Sequence, residues 1–142
     1  MDGLYDIDIL TWSERQAALL RRLAAGERLN EELDWPNVIE EIESVGRSDL
    51  HSVESLLTQA MLHEIKARAW PDALAVPHWE AEARLFRSQA AARFTESMRQ
   101  RLDVAALCRI AWRGVPATID GQPPRVLASE YAVTLDDLLA AA

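Results

Sequence analysis

Glu40, Glu43, Arg47, His63 and Lys66 are the residues whose types and spacing could do chemistry. On a helix, Glu40 and Glu43 stand three apart and share one flank, and Arg47 stands four beyond Glu43, in reach of an ion pair. His63 falls on a strip with Leu56, Ala60, Ala67 and Trp70. If the segments around Glu40 and His63 are antiparallel helical neighbours, the five residues meet as a semi-buried polar cluster. Its chemistry would be metal ligation or acid/base catalysis, since helical bundles build metal sites from inward Glu residues and Glu-x-x-His pairs. The chain has no Glu-x-x-His: His51 and Glu54 run in the reverse order, and His78 with Glu82 is an i, i+4 pair near a loop. Three scattered His residues are not a metal signature. No metal and no cofactor is expected, and the favoured reading is a network of satisfied polar groups that fixes helix register.

Other chemistry is weaker. Cys108 sits on an apolar face with Ala105, Ala111 and Trp112, where a free Cys is a small hydrophobe. Ser48 is better explained as a helix cap than as a nucleophile for His63. There is no P-loop, dinucleotide-binding glycine pattern or HExxH. The Trp residues at 35, 70, 79 and 112 stand at the expected ends of helices, which suits anchoring. Arg84, Arg87, Arg93, Arg99 and Arg101 do not share one face, so nucleic-acid binding is not expected from them.

The elements that must position these residues are helical. The chain has 142 residues, enough for one domain with a real core. It is 49% hydrophobic and 27% charged, the balance of a folded globule. A net charge of −8 argues against binding nucleic acid through bulk positive charge. That charge is uneven: residues 1–64 carry −9, residues 65–113 carry +4 and residues 114–142 carry −3. Lys66 is the one lysine. The single Cys cannot form an internal disulfide, which fits a reducing cytoplasm. An acidic start is no secretory signal, and no apolar run approaches a membrane span.

Strand signals are scarce, while Ala, Leu, Arg, Glu and Gln abound. The pattern predicts a first helix from near Asp8 to Gly26, with Gly26 at its C-terminal end. Asp34-Trp35-Pro36 restarts the chain, with Asp34 as cap and Pro36 in the first turn. The next apolar stripe is Trp35, Val38, Ile39, Ile42 and Val45. Gly46 ends that helix with Ser48 capping the next, or one helix continues with a kink; residues 35–70 allow both. Val53, Leu56, Leu57, Ala60, Met61, Leu62 and Ile65 wrap more than half a helix, which marks it as central. Trp70-Pro71 ends it. Further helices are predicted from about His78 and from 98 to about 113, the latter started by a capping box at Ser97-x-x-Gln100. Residues 114–133 read as loop, and Thr134 caps a short terminal helix.

Certain residues also carry a resemblance: Tyr5-Asp6, Trp12, Leu19-Leu20-Arg21, Leu33-Asp34-Trp35, Glu40-Glu41-Ile42-Glu43-Ser44, Gly46-Arg47-Ser48, and His63 with Lys66. Trp79, Tyr131 and Thr134-Leu135 fit as well. In these the chain resembles the bacterial domain-of-unknown-function family 29, most strongly over residues 5–70. Residues 97–130 depart from the family pattern. The resemblance implies an all-α fold and supplies no activity.

The expectation is an all-α single domain over residues 1–142, a four- or five-helix bundle with an irregular C-terminal tail and a short terminal helix. The expected function is that of a non-enzymatic interaction protein with a protein partner or a second copy. The alternative is a metal-dependent or acid/base enzyme using Glu40, Glu43 and His63.

Overall fold

The computed structural model describes residues 3–29 and 32–140. Six α-helices occur among them: α1 Leu4–Ile7, α2 Ile9–Ala24, α3 Trp35–Ala69, α4 Val76–Arg93, α5 Val104–Arg113 and α6 Leu135–Leu139. Short 3-10 turns occupy Glu96–Met98 and Ala128–Glu130. Among the described residues there is no strand, and the β-pairing found is one isolated bridge between Ile119 and Gln122. The fold is all-α, as the composition and periodicity require.

The choice left open at Gly46 is resolved. α3 runs unbroken for 35 residues, through Gly46 and Ser48. A glycine inside a helix costs about 1 kcal/mol relative to alanine, and the helix formers on both sides outweigh that. The chain divides into two compact units, Met1–Arg47 and Ser48–Ala142.

In the first unit, the Asp8 side chain accepts the Thr11 backbone N–H at 3.0 Å and caps α2. Gly26 follows α2 at φ +98°, a conformation that costs glycine little. Trp12 is buried with Leu29, Leu33 and Val38, and the Tyr5 ring meets the Trp12 ring edge-on at 4.8 Å. The stripe on the first turns of α3 departs from the apolar-face expectation. Val38 is 6% exposed, whereas Trp35, Ile39, Ile42 and Val45 are 43%, 51%, 68% and 66% exposed.

In the second unit, α3 is central, as its thick apolar pattern predicts. Val53, Leu57, Met61 and Ile65 are fully buried at successive four-residue steps. They pack in one core with Ala90 of α4, Leu107 and Ala111 of α5, Leu138 of α6, and Tyr131 from the chain before α6. A second cluster joins Ala69, Trp70 and Trp79 where α3 ends. The 114–133 loop closes that end: Arg125 N–H donates to the Ala69 carbonyl at 2.9 Å and Trp70 Nε1 to the Gln122 carbonyl at 2.8 Å. Asp120 and Gly121 both adopt positive φ between the bridged Ile119 and Gln122, the demand of a tight two-residue turn.

Two helix starts differ from the sequence pattern. α4 begins at Val76 with Pro77 in its first turn. The capping box at Ser97 is not formed: Ser97 lies in a 3-10 turn, and α5 begins only at Val104, where Asp103 accepts the Ala106 N–H at 3.0 Å. Thr134 caps α6 as predicted, with Asp137 answering in a reciprocal box.

Candidate functional site

Glu40, Glu43 and Arg47 do meet. Arg47 contacts Glu40 Oε1 at 2.5 Å and Glu43 Oε2 at 3.9 Å, with every partner at least half exposed. Exposed pairs of this kind contribute little to stability. His63 and Lys66 have other partners. His63 Nδ1 lies 2.7 Å from the Gln59 carbonyl, and its ring tilts against Phe86 at 5.5 Å. Lys66 Nζ stands 4.7 Å over the Trp79 ring. The predicted cluster thus separates into a surface triad and two aromatic contacts, because one continuous helix carries all five residues and no turn folds one group back on the other.

The best-connected polar network in the second unit centres on Glu64, a residue absent from the sequence-based candidates. Tyr131 Oη donates to Glu64 Oε2 at 2.7 Å, and Arg87 to Glu64 Oε1 at 2.9 Å. Arg87 also donates to the carbonyls of Leu138, at 3.2 Å, and Asp137, which tie down the end of α6. The Arg68 guanidinium stacks 5.0 Å from the Tyr131 ring. Burial first, and the Glu64 hydrogen bond second, raise the Tyr131 hydroxyl above the usual phenol range. With both Glu64 oxygens already holding donors, this carboxylate acts as a strut between α3, α4 and the chain before α6.

Beside it lies a cavity of about 370 Å³ whose lining includes Val104, Cys108, Trp112, Tyr131 and Val133. Burial raises the Cys108 thiol, opposed by Trp112 and Arg109. A thiol held protonated is a poor nucleophile. Among the described residues, Trp112 Nε1 is a buried side-chain donor without an acceptor.

The first unit holds a second network. Asp34 Oδ2 accepts from Trp12 Nε1 at 3.0 Å and Asn37 Nδ2 at 2.7 Å, while its N–H donates to Gln16 Oε1 at 2.9 Å. The Asn37 side chain, aided by Trp12, lowers the Asp34 carboxyl against the effect of burial. Tyr5 Oη donates to Glu41 Oε1 at 2.5 Å, which pushes the Tyr5 hydroxyl up to about 12. These bonds lock α1 and α2 onto one side of α3. The other side carries Trp35, Ile39 and Ile42 into solvent, with bare backbone at Gly46, where a Cβ would meet nothing within 4 Å.

Of the arginines at 84–101, Arg87 is spent on Glu64, and Arg99 pairs with Glu96 and Asp136, each at 2.9 Å. Among the described residues, no group of three or more His, Cys, Asp or Glu is placed to hold a metal, and no helix is long and apolar enough to cross a membrane.

The chain belongs to the family described as Domain of unknown function DUF29, which matches residues 4–141. A crystal structure of an α-helical protein of unknown function from Rhodospirillum rubrum is similar over 98% of this chain and 90% of that one, with a TM-score of 0.69 and 28% identity. No curated protein matches the chain.

Proposed function

We propose that this member of the DUF29 family is a non-enzymatic interaction protein of the bacterial cytoplasm, working by helix-to-helix contact with another protein chain. The observation that carries the reading is the exposed stripe of Trp35, Ile39 and Ile42 on α3. Single exposed apolar residues are ordinary, but several in one helical row, rimmed by charge, mark contact surfaces. Here the rim is Glu40, Glu43 and Arg47. The polar networks favour the same reading: Asp34, Glu41 and Glu64 each hold donors that brace helices, and Cys108 is held as a thiol. The lone, partly buried Cys suits a reducing compartment.

The test is photo-crosslinking in cells from an unnatural aryl ketone side chain at Ile42, with the same group at exposed Glu14 as control. A protein adduct from position 42 that position 14 does not give supports the reading. Equal yields at the two positions would sink it.

A further inference from the structure

We infer that the cavity beside α5 is a binding site for a small apolar monocarboxylate, its hydrocarbon body held between α5 and residues 128–133 and its carboxylate held by Arg109 and Trp112. The site lies in the second unit and is independent of the stripe on α3. Its volume of about 370 Å³ falls at the small end of ligand pockets. At the volume a water molecule takes in the liquid, that is room for about a dozen non-hydrogen atoms. The walls suit a hydrocarbon body: Val104, Ala105 and Trp112 line the cavity from α5, and Ala128 and Val133 line it from the facing chain.

The polar groups on the α5 wall are a cation and a donor with no anion between them. Arg109 lines the cavity. The arginine ion pairs of the second unit engage Arg87, Arg99 and Arg125, and Arg109 is in none of them. Trp112 Nε1 is a buried donor with no acceptor, and such a group is costly until an acceptor satisfies it. Cys108, on the same wall, reports the sign of the field there. Arg109 and the Trp112 N–H both favour a negative charge on its sulfur, yet burial outweighs them and keeps the thiol neutral. Among the described residues no acidic side chain lines the cavity, and the Tyr131 hydroxyl is already given to Glu64. The wall is therefore arranged for an anion that the chain itself does not place there.

The chemistry selects a carboxylate. One guanidinium and one indole N–H match a planar, singly charged group, which the arginine fork holds through two oxygens. A more highly charged anion would meet too little positive charge here, on a chain whose net charge is −8. The Trp112 N–H is sealed from solvent, so a ligand oxygen reaches it as the facing wall shifts. That wall is a 3-10 turn followed by extended chain, not a helix.

The probe is octanoate, with octanamide as its uncharged isostere. The indole N–H signals of the isotope-labelled full chain are followed by NMR, and Trp112→Phe identifies the Trp112 signal among the five. Octanoate should move that signal saturably, with a Kd on the order of 0.1–1 mM for a ligand of this size, and octanamide should bind at least tenfold more weakly. Arg109→Gln should weaken octanoate at least tenfold. Ala105→Phe, which fills the cavity from an exposed helix position, should abolish the shift with helical circular dichroism unchanged. A Trp112 signal that does not respond to octanoate up to about 10 mM, well past the expected Kd, overturns the site. Equal shifts of all the indole signals overturn it too, since they report adsorption without a site. Octanamide binding as tightly as octanoate, or octanoate affinity unchanged by Arg109→Gln, overturns the carboxylate as the ligand class.

Discussion

Replacing Gly46 by alanine tests whether α3 needs a glycine at that position. In the isolated chain Gly46 lies inside α3 without a positive φ, and an added Cβ meets nothing within 4 Å. The methyl group therefore introduces no clash, while the unfolded chain loses conformational freedom. The gain should be about 0.5–1 kcal/mol. For a chain of this size that is a rise of about 2–4 °C in melting temperature. The assay is urea and thermal unfolding by circular dichroism at low protein concentration. A higher unfolding midpoint is the expected result. A lower midpoint under monomeric conditions would refute the reasoning, because it would mean that Gly46 is required by the chain's own packing.

Leu57→Ala removes a fully buried side chain of the core beneath α4 and α5 and should cost about 2–5 kcal/mol in urea unfolding. Ile42→Ala, at monomeric dilution, should change stability by no more than about 0.5 kcal/mol, since the side chain is mostly exposed. Asp103→Ala should lower stability by about 1 kcal/mol through loss of the α5 cap, whereas Ser97→Ala should be near neutral; equal losses would restore Ser97 as the helix start. Tyr131→Phe should cost about 1–2 kcal/mol at neutral pH by removing a hydrogen bond to the Glu64 carboxylate. Because the folded Tyr131 hydroxyl titrates above its unfolded value, its contribution is fully present below about pH 10 and is lost as pH rises through the higher folded value. Wild type should therefore lose stability above pH 10 more steeply than Tyr131→Phe, and parallel alkaline limbs would contradict the Glu64–Tyr131 contact.

The readable part of the fold lies where one local signal has no competitor. Asp8, Gly26, Pro71 and Thr134 mark boundaries through backbone chemistry that neighbours cannot override, and the structure keeps each one. Gly46 and Ser97 carry signals of equal appearance, yet the break that Gly46 allows does not occur and the cap at Ser97 does not form. At Gly46 the glycine penalty is smaller than the sum of propensities around it, and the helix continues. At Ser97 the cap was a good one on paper, but Asp103 offers a carboxylate to the N–H three residues on, directly ahead of an apolar run. A motif two turns early loses to one that begins where the core residues Leu107 and Ala111 must align.

The polar residues were misgrouped for the same reason. Placing His63 beside Glu40 and Glu43 requires the first of the two readings at Gly46, a break, and α3 follows the second. Glu64 is one residue from His63 in sequence and gave no signal, because its partners Arg87 and Tyr131 lie 23 and 67 residues away. Such contacts follow only from packing. The stripe from Trp35 to Val45 shows the converse. Its apolar periodicity was plain, yet period reveals which residues share a face and not what covers it. Val38 turns to the interior while Ile39 and Ile42 do not, because the bonds from Tyr5 to Glu41 and from Trp12 to Asp34 fix which side of α3 the first unit occupies. Those two hydrogen bonds consume the side of α3 next to Val38. The row on the other side, Trp35, Ile39 and Ile42, therefore stays exposed although its period is that of a buried face.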